Sequence, residues 1–304
     1  MFANRATADW QLRTRILELG RRTLIMAVVN ITPDSFSDGG AFLDPQSAID
    51  YALQCLNDGA DILDLGAEST RPGSRAGAEA PAVSAEEEKA RLLPVLEGVL
   101  KARAGAVISV DTYKAVTARA AMAAGAEIIN DVSGFAWDGE MAGVCAEGHA
   151  GVVLTHSRGR PEEWRTQPQL TPSALISMVR HGLAESLEIA EGAGVATESV
   201  VLDPGYGFGK RFGENFSLLS RQEELLALGR PLLAGLSRKS FLGHTLAALH
   251  GNAPAPVDAR ENASIAAMVA AILNGASIVR VHTVRPAVEA ALVADAVLAA
   301  RRSE

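Results

Sequence analysis

The chain has 304 residues, 48% of them apolar and only 5% aromatic, with a formal charge of −8. That apolar share is enough for a full core, and the scarcity of aromatics favours Ala, Leu, Val and Ile helices packed on a parallel sheet over a β-sandwich. No run of Lys or Arg exceeds two residues, which argues against a nucleic-acid partner but leaves room for an anionic substrate in a local basic pocket. The first ten residues, MFANRATADW, contain no apolar signal region. Residues 10–19 alternate loosely through Trp10, Leu12, Ile16, Leu17 and Leu19. A short hairpin capping one end of the core is expected there, with residues 1–22 as an N-terminal extension. Residues 24–29 then form an unbroken apolar run, as a strand buried on both faces does. It stops at Asn30, and a loop of Thr, Pro, Asp, Ser and Gly follows. A helix is predicted over 45–56, with Asp44 as N-cap, Pro45 in the first turn, and Ala48, Ile49, Ala52, Leu53 and Leu56 on one face.

The pattern then repeats. Strands are predicted at 61–65, 106–110, 127–129, 151–154, 200–202, 231–235 and 277–281. Helices are predicted at 86–103, 114–124, 140–147, 173–193, 215–228, 241–249, 260–273 and 286–300. Eight strand–helix units are the closure number of the (β/α)8 TIM barrel, so a single α/β barrel domain over residues 23–304 is expected. An open doubly wound sheet lacks support, because no G-x-G-x-x-G follows any strand. Cys55 and Cys145 fall in apolar helical patterns and read as buried reduced thiols. The longest apolar run, residues 265–273, is far short of a membrane span. A soluble cytoplasmic protein with no membrane partner is expected.

In such a barrel the C-terminal strand ends share one face. The strands deliver, in order, Asn30; Glu68, Ser69, Thr70 and Arg71; Asp111; Asn130 and Asp131; His156 and Arg158; Asp203; Ser237, Arg238 and Lys239; Arg280 and His282. Each has a bland reading, since Asp and Asn after a strand often cap a helix or nucleate a turn. Capping is weaker for Asp203, where Pro204 and Gly205 follow and no helix begins. As a set they have a chemistry. Asp111, Asn130 and Asp203 can read the donor–acceptor edge of a flat nitrogen heterocycle, and a carboxylate accepting two parallel N–H bonds matches a guanidine-like edge. Arg71, Lys239, Arg280 and His282 suit phosphate oxygens. Asn30 can place an oxygen on Mg²⁺, whose sites combine few protein ligands with water and substrate phosphates. No H-x-x-x-H, C-x-x-C, G-x-S-x-G or Walker A motif is present. The residues point to a heterocycle carrying a phosphoryl-type leaving group.

The segments NITPDSFSDGG (30–40), LGAESTRPGS (65–74), SVDTYK (109–114), IINDVSGF (128–135), THSRGRP (155–161), LDPGYGFGK (202–210), GLSRKSFLG (235–243) and VRVH (279–282) resemble the dihydropteroate synthase family. The resemblance runs in order from about Leu24 to the C-terminus. It implies a (β/α)8 barrel that joins p-aminobenzoate to 6-hydroxymethyl-7,8-dihydropterin diphosphate. By the same resemblance Asp203 pairs with the amino-pyrimidinone edge, Asp111 and Asn130 take other ring nitrogens, Arg280 lies against the ring, and Lys239 hydrogen-bonds it. Asn30 is implied as the Mg²⁺ ligand. Asp34 is implied in the catalytic group, and Arg71, Arg280 and His282 as holding the diphosphate. Phe36, Thr70, Pro72, Phe208, Lys239 and Ser240 are implied to form the p-aminobenzoate slot, and the last helices to form a homodimer.

Two positions depart from the family pattern: Thr155 stands where Met is more usual, and Thr283 where Asp often follows the last His. Two other readings are weighed. A pterin-binding corrinoid methyltransferase would keep the Asp/Asn set but has no need of STRPG or SRKS. A non-catalytic pterin-binding paralogue would be marked by loss of loop residues, whereas Asn30, Arg71 and Lys239 are all present.

Overall fold

The computed structural model of the protein describes residues 5–32, 44–70, 73–78 and 83–302. Strands β1 (Ala8–Gln11) and β2 (Ile16–Leu19) form an antiparallel hairpin. Eight further strands are all parallel and close into a barrel: β3 (Leu24–Asn30), β4 (Ile62–Gly66), β5 (Val107–Asp111), β6 (Ile128–Asp131), β7 (Gly151–Thr155), β8 (Val200–Asp203), β9 (Leu232–Ala234) and β10 (Ala276–Val281). β10 pairs with both β3 and β9, which completes the ring.

The strands lack polar alternation because both faces are covered, but the two-residue period still sorts their side chains. Leu24, Met26, Ile62, Val107, Ile128, Val153, Val201, Leu233 and Ile278 meet inside the barrel. The residues between them, such as Ile25, Leu63, Ile108, Ile129, Val152 and Val279, pack outward against helices. The hairpin closes the N-terminal end of the interior with Trp10, Leu12 and Leu19, as expected from its pattern. Trp10 Nε1 donates to Ser199 O (2.8 Å). A Cβ at Gly151 would sit 2.4 Å from Leu12 Cδ2, so glycine there makes room for the plug. Arg5 ties the extension to the barrel through Thr23 Oγ1 (2.8 Å), Ala276 O (3.0 Å) and Asp295 (2.8 Å).

The outer ring comprises α1 (Pro45–Asn57), α2 (Ala85–Ala102), α3 (Ala115–Ala123), α4 (Met141–Glu147), α5 (Pro172–Gly192), α6 (Phe212–Ser220), α7 (Ser240–Thr245), α8 (Glu261–Leu273) and α9 (Val284–Arg302). Asp44, Ser84 and Thr171 cap α1, α2 and α5 through side-chain oxygens, and Pro45 and Pro172 occupy first turns that need no N–H. Two helices differ from the sequence reading. The helix expected over 215–228 begins earlier and breaks at Arg221 into a 3₁₀ segment, Gln222–Leu228. Gln222 causes the break: its buried amide donates to Ala271 O (3.0 Å) and Asn274 O (3.1 Å) and accepts from Tyr206 OH (2.7 Å). The helix expected over 241–249 stops at Thr245, because Gly243 O accepts from Ala255 N (2.9 Å) rather than from a continuing turn. Cys55 and Cys145 are buried free thiols. Among the described residues, no helix is long and apolar enough to cross a membrane.

Candidate active site

Two residues beyond the inner apolar layer, the same inward phase turns polar. It runs from Ile62 to Asp64, from Val107 to Ser109 and Asp111, from Ile128 to Asn130, from Val201 to Asp203, and from Ile278 to Arg280 and His282. These side chains build one network. Arg280 Nε donates to Asp64 Oδ2 (2.6 Å) and Arg280 Nη2 to Asp111 Oδ2 (2.7 Å). Asp64 also accepts from Ser109 Oγ (2.6 Å) and Asn130 Nδ2 (3.0 Å). Burial works against the Arg280 charge, but Asp64 and Asp111 outweigh it and hold its pKa up. Asp111 is pushed up to about 7 by burial, with Arg280 opposing and Asp64 adding to the shift. The structure thus brings Asp111, Asn130 and Arg280 together. Asp64, which sequence reasoning passed over, is their common partner. A carboxylate in the middle of a buried apolar strand was the signal.

On the facing wall, Asp203 Oδ1 accepts from Gly205 N (2.7 Å). A Cβ at Gly205 (φ +70°) would lie 1.9 Å from His156 O, so only glycine lets this loop fold over the strand end. Burial raises the Asp203 pKa against the pull of that N–H and of Lys239. Lys239, half-buried, sits with Nζ 3.9 Å from the centroid of the Phe208 ring. Burial lowers its pKa to about 8, opposed by Asp203 and reinforced by Arg280. Asp203, Lys239, Phe208 and Arg280 therefore share the barrel mouth. His282 Nδ1 lies 3.0 Å from Ser237 Oγ, and its carbonyl accepts from Tyr51 OH (2.9 Å). Thr283 Oγ1 takes Arg238 Nη2 (3.2 Å). Asn30 ends β3 in the inward phase, next to Gly66 in the ladder, and Gly66 is in turn next to Asp111. Thr70 is half-buried beyond β4, and Ser240 is exposed at the first residue of α7. Asp34, Phe36, Arg71 and Pro72 lie outside the described residues.

Three strand-end groups are used elsewhere. Asp131 has the outward phase and accepts from Ser133 N (2.8 Å), Ser133 Oγ (2.7 Å) and Phe135 N (3.0 Å), the turn-forming role that was its bland reading. His156 is also outward, packed by Gly182 of α5, and its Nδ1 lies 2.9 Å from Lys210 Nζ. Lys210 further donates to His156 O (3.0 Å) and Gly205 O (2.8 Å), so the last residue of LDPGYGFGK staples the loop that carries Phe208. Burial holds both the His156 and the Lys210 pKa well down. Glu68 pairs with Lys114, which also bonds Glu88 (2.9 Å), and Glu68 accepts from Tyr113 OH (2.9 Å). This buried group anchors the root of the second loop.

The family described as pterin binding enzyme matches residues 26–282. A curated dihydropteroate synthase from Bacillus subtilis is 40% identical over 282 residues, which is 93% of this chain and 91% of that one. A solved Xanthomonas albilineans dihydropteroate synthase with 4-aminobenzoic acid superposes with a TM-score of 0.84 at 38% identity, covering 97% of this chain and 99% of that one. A Yersinia pestis dihydropteroate synthase solved with a sulfonamide drug gives a TM-score of 0.84 at 36% identity, covering 96% and 99%.

Proposed function

The chain belongs to the pterin binding enzyme family, and we propose that it acts as a dihydropteroate synthase. It joins 6-hydroxymethyl-7,8-dihydropterin diphosphate to p-aminobenzoate and releases 7,8-dihydropteroate and pyrophosphate, a step of folate biosynthesis. The observation that carries this reading is the single polar layer at the barrel mouth, where Asp203, Asp111 and Asn130 share space with Arg280 and Lys239. Asp203 offers two parallel acceptors to the amino-pyrimidinone edge, and Asp111 and Asn130 hold other ring nitrogens. Arg280, with its guanidinium fixed by Asp64 and Asp111, lies against the ring. Such preorganised charges need no rearrangement when the substrate arrives.

The diphosphate leaves a methylene attached to an electron-rich ring, which can delocalise the developing cation, so the displacement is SN1-like. The arylamine is already a free nucleophile at neutral pH and needs no general base. The protein's task is to hold the leaving group and place the amine in line. Asp34, Arg71, Arg280 and His282 serve the leaving-group end. Phe36, Thr70, Pro72, Phe208, Lys239 and Ser240 form the p-aminobenzoate slot, which sulfonamides also enter. Asn30 would be the protein ligand of Mg²⁺, which when bound would supply positive charge to the diphosphate oxygens. An amide oxygen suits a hard cation that keeps water and phosphate in most of its shell. The protein works in the cytoplasm as a homodimer through its last helices. Exposed Leu292, Val293 and Val297 on α9 support that assembly.

Pyrophosphate release tests the reading. Release should require p-aminobenzoate and match the dihydropteroate formed. Pterin binding without turnover would identify a non-catalytic paralogue, and methyl transfer to a corrinoid protein the other barrel enzyme.

A further inference from the structure

Arg238, just past β9, has φ +59°, a left-handed conformation uncommon for a residue with a Cβ. Two side chains at the start of α8 hold it there. Arg238 N–H donates to Ser264 Oγ (2.9 Å), and Arg238 O accepts from Arg260 Nη1 (3.0 Å). Ser264 Oγ itself donates to Arg260 O (2.8 Å), and Arg260 Nε donates to Ala255 O (2.8 Å). Both backbone polar groups of one strained residue are therefore satisfied by one neighbouring element. Ser264 is buried, so its hydroxyl is held in place by packing as well as by these bonds. The Arg238 guanidinium is engaged with Thr283 Oγ1 and stands 3.7 Å from Glu261. At the next residue, Lys239, the chain returns to extended backbone (φ −61°, ψ 147°), and Ser240 opens α7. A single reversed residue thus sets the direction in which Lys239 and Ser240 leave the barrel wall. Strain of this kind persists only where its surroundings over-determine it.

We infer that Ser264 and Arg260 are positioning residues for p-aminobenzoate: by keeping Arg238 left-handed, they aim Lys239 and Ser240 at the mouth of the barrel. Neither is a hydrogen-bond partner of Asp64, Asp111 or the Arg280 guanidinium, which bond one another. Their effect should therefore fall mainly on p-aminobenzoate, with a smaller one on the pterin through Lys239. The inference rests on the dihydropteroate synthase reading.

Two pairs of variants test it. Arg238→Gly and Arg238→Ala lose the same guanidinium, but glycine takes φ +59° freely and alanine does not. The glycine variant should melt at the higher temperature, and its KM for p-aminobenzoate should be about fivefold below that of the alanine variant. Ser264→Ala should raise the KM for p-aminobenzoate by about tenfold and the KM for the pterin diphosphate by clearly less, about threefold at most. A small cavity of about 10 Å³ lies beside Ser264, lined also by Ser237, Glu261, Met268 and Arg280. Ser264→Thr keeps the hydroxyl that accepts from Arg238 N–H and should restore the KM. A merely structural role would lower the active fraction without moving one KM more than the other. Equal behaviour of the two Arg238 variants, a parallel rise of both KM values in Ser264→Ala, or no rescue by threonine overturns the inference. Absence of any dihydropteroate from the wild type would instead overturn the functional reading, and the melting comparison would still decide whether Arg238 is held under strain.

Discussion

At the bottom of the barrel, Trp10, Leu12 and Leu19 close the interior against Met26, Ile62 and Ile278. Two residues further along the same strands, the interior is filled by Asp64, Ser109, Asn130 and Arg280. The side chains have the same phase on the same strands, yet the two layers are stabilised differently. The lower layer gains stability by removing apolar surface from water. The upper layer is tolerated only because each charge has a partner, since a buried charge without one is costly. The lower layer therefore sets how firmly the barrel closes, and the upper layer sets what it can bind.

Breaking the upper layer has the largest expected effect. Asp64→Ala leaves Arg280, Ser109 and Asn130 without their shared acceptor. Loss of one partner from a buried pair costs about 3–5 kcal/mol, and that loss should appear in urea unfolding. Turnover should fall by about 100-fold or more, because Arg280 loses its fixed plane. Wild-type stability together with wild-type turnover would refute the network's role. Asp64→Asn keeps the shape and should fall between the two.

The lower layer should respond in stability alone. Trp10→Ala removes a fully buried indole and its bond to Ser199 O. A loss of about 3–5 kcal/mol is expected, with kcat/KM per folded molecule unchanged. A change in KM for either substrate would show that the plug reaches the mouth and that the two layers are not independent.

The same phase rule explains what could be read from the sequence. The eight strands and the plugging hairpin were legible because apolar runs and turns mark them directly. The site residues beyond the strand ends were legible as polar groups following apolar runs, but position alone did not say which way each pointed. Asn130 and Asp131 are adjacent, and only Asn130 has the phase of Ile128. Asp131 turns outward and folds its own loop. Asp64 escaped notice because it lies inside a strand, where only the phase of Ile62 marks it as facing the interior. The break at Arg221 was not legible, because it depends on partners of Gln222 that lie 49 and 52 residues away.

The smallest effect expected is a pH dependence at the edge of the upper layer. Lys239 has its pKa lowered from 10.5 to about 8, chiefly by burial, with Asp203 opposing and Arg280 assisting. Below about pH 8 the lysine is protonated in both the folded and the unfolded chain, and the folded state bears the full cost of burying the charge. Between about pH 8 and 10.5 the unfolded chain keeps the proton that the folded chain has released. The unfolded state then binds more protons, so stability rises with pH across that window and levels off above it. Other lysines titrate nearby, so the measurement is a difference: unfolding free energy of the wild type minus that of Lys239→Met, followed from pH 7 to 11. The difference should shift in favour of the wild type through the window and stay flat below it. The same scan on Trp10→Ala should reproduce the wild-type slope, since nothing in the lower layer titrates. A flat difference would mean that Lys239 is hydrated at the mouth rather than desolvated against Phe208.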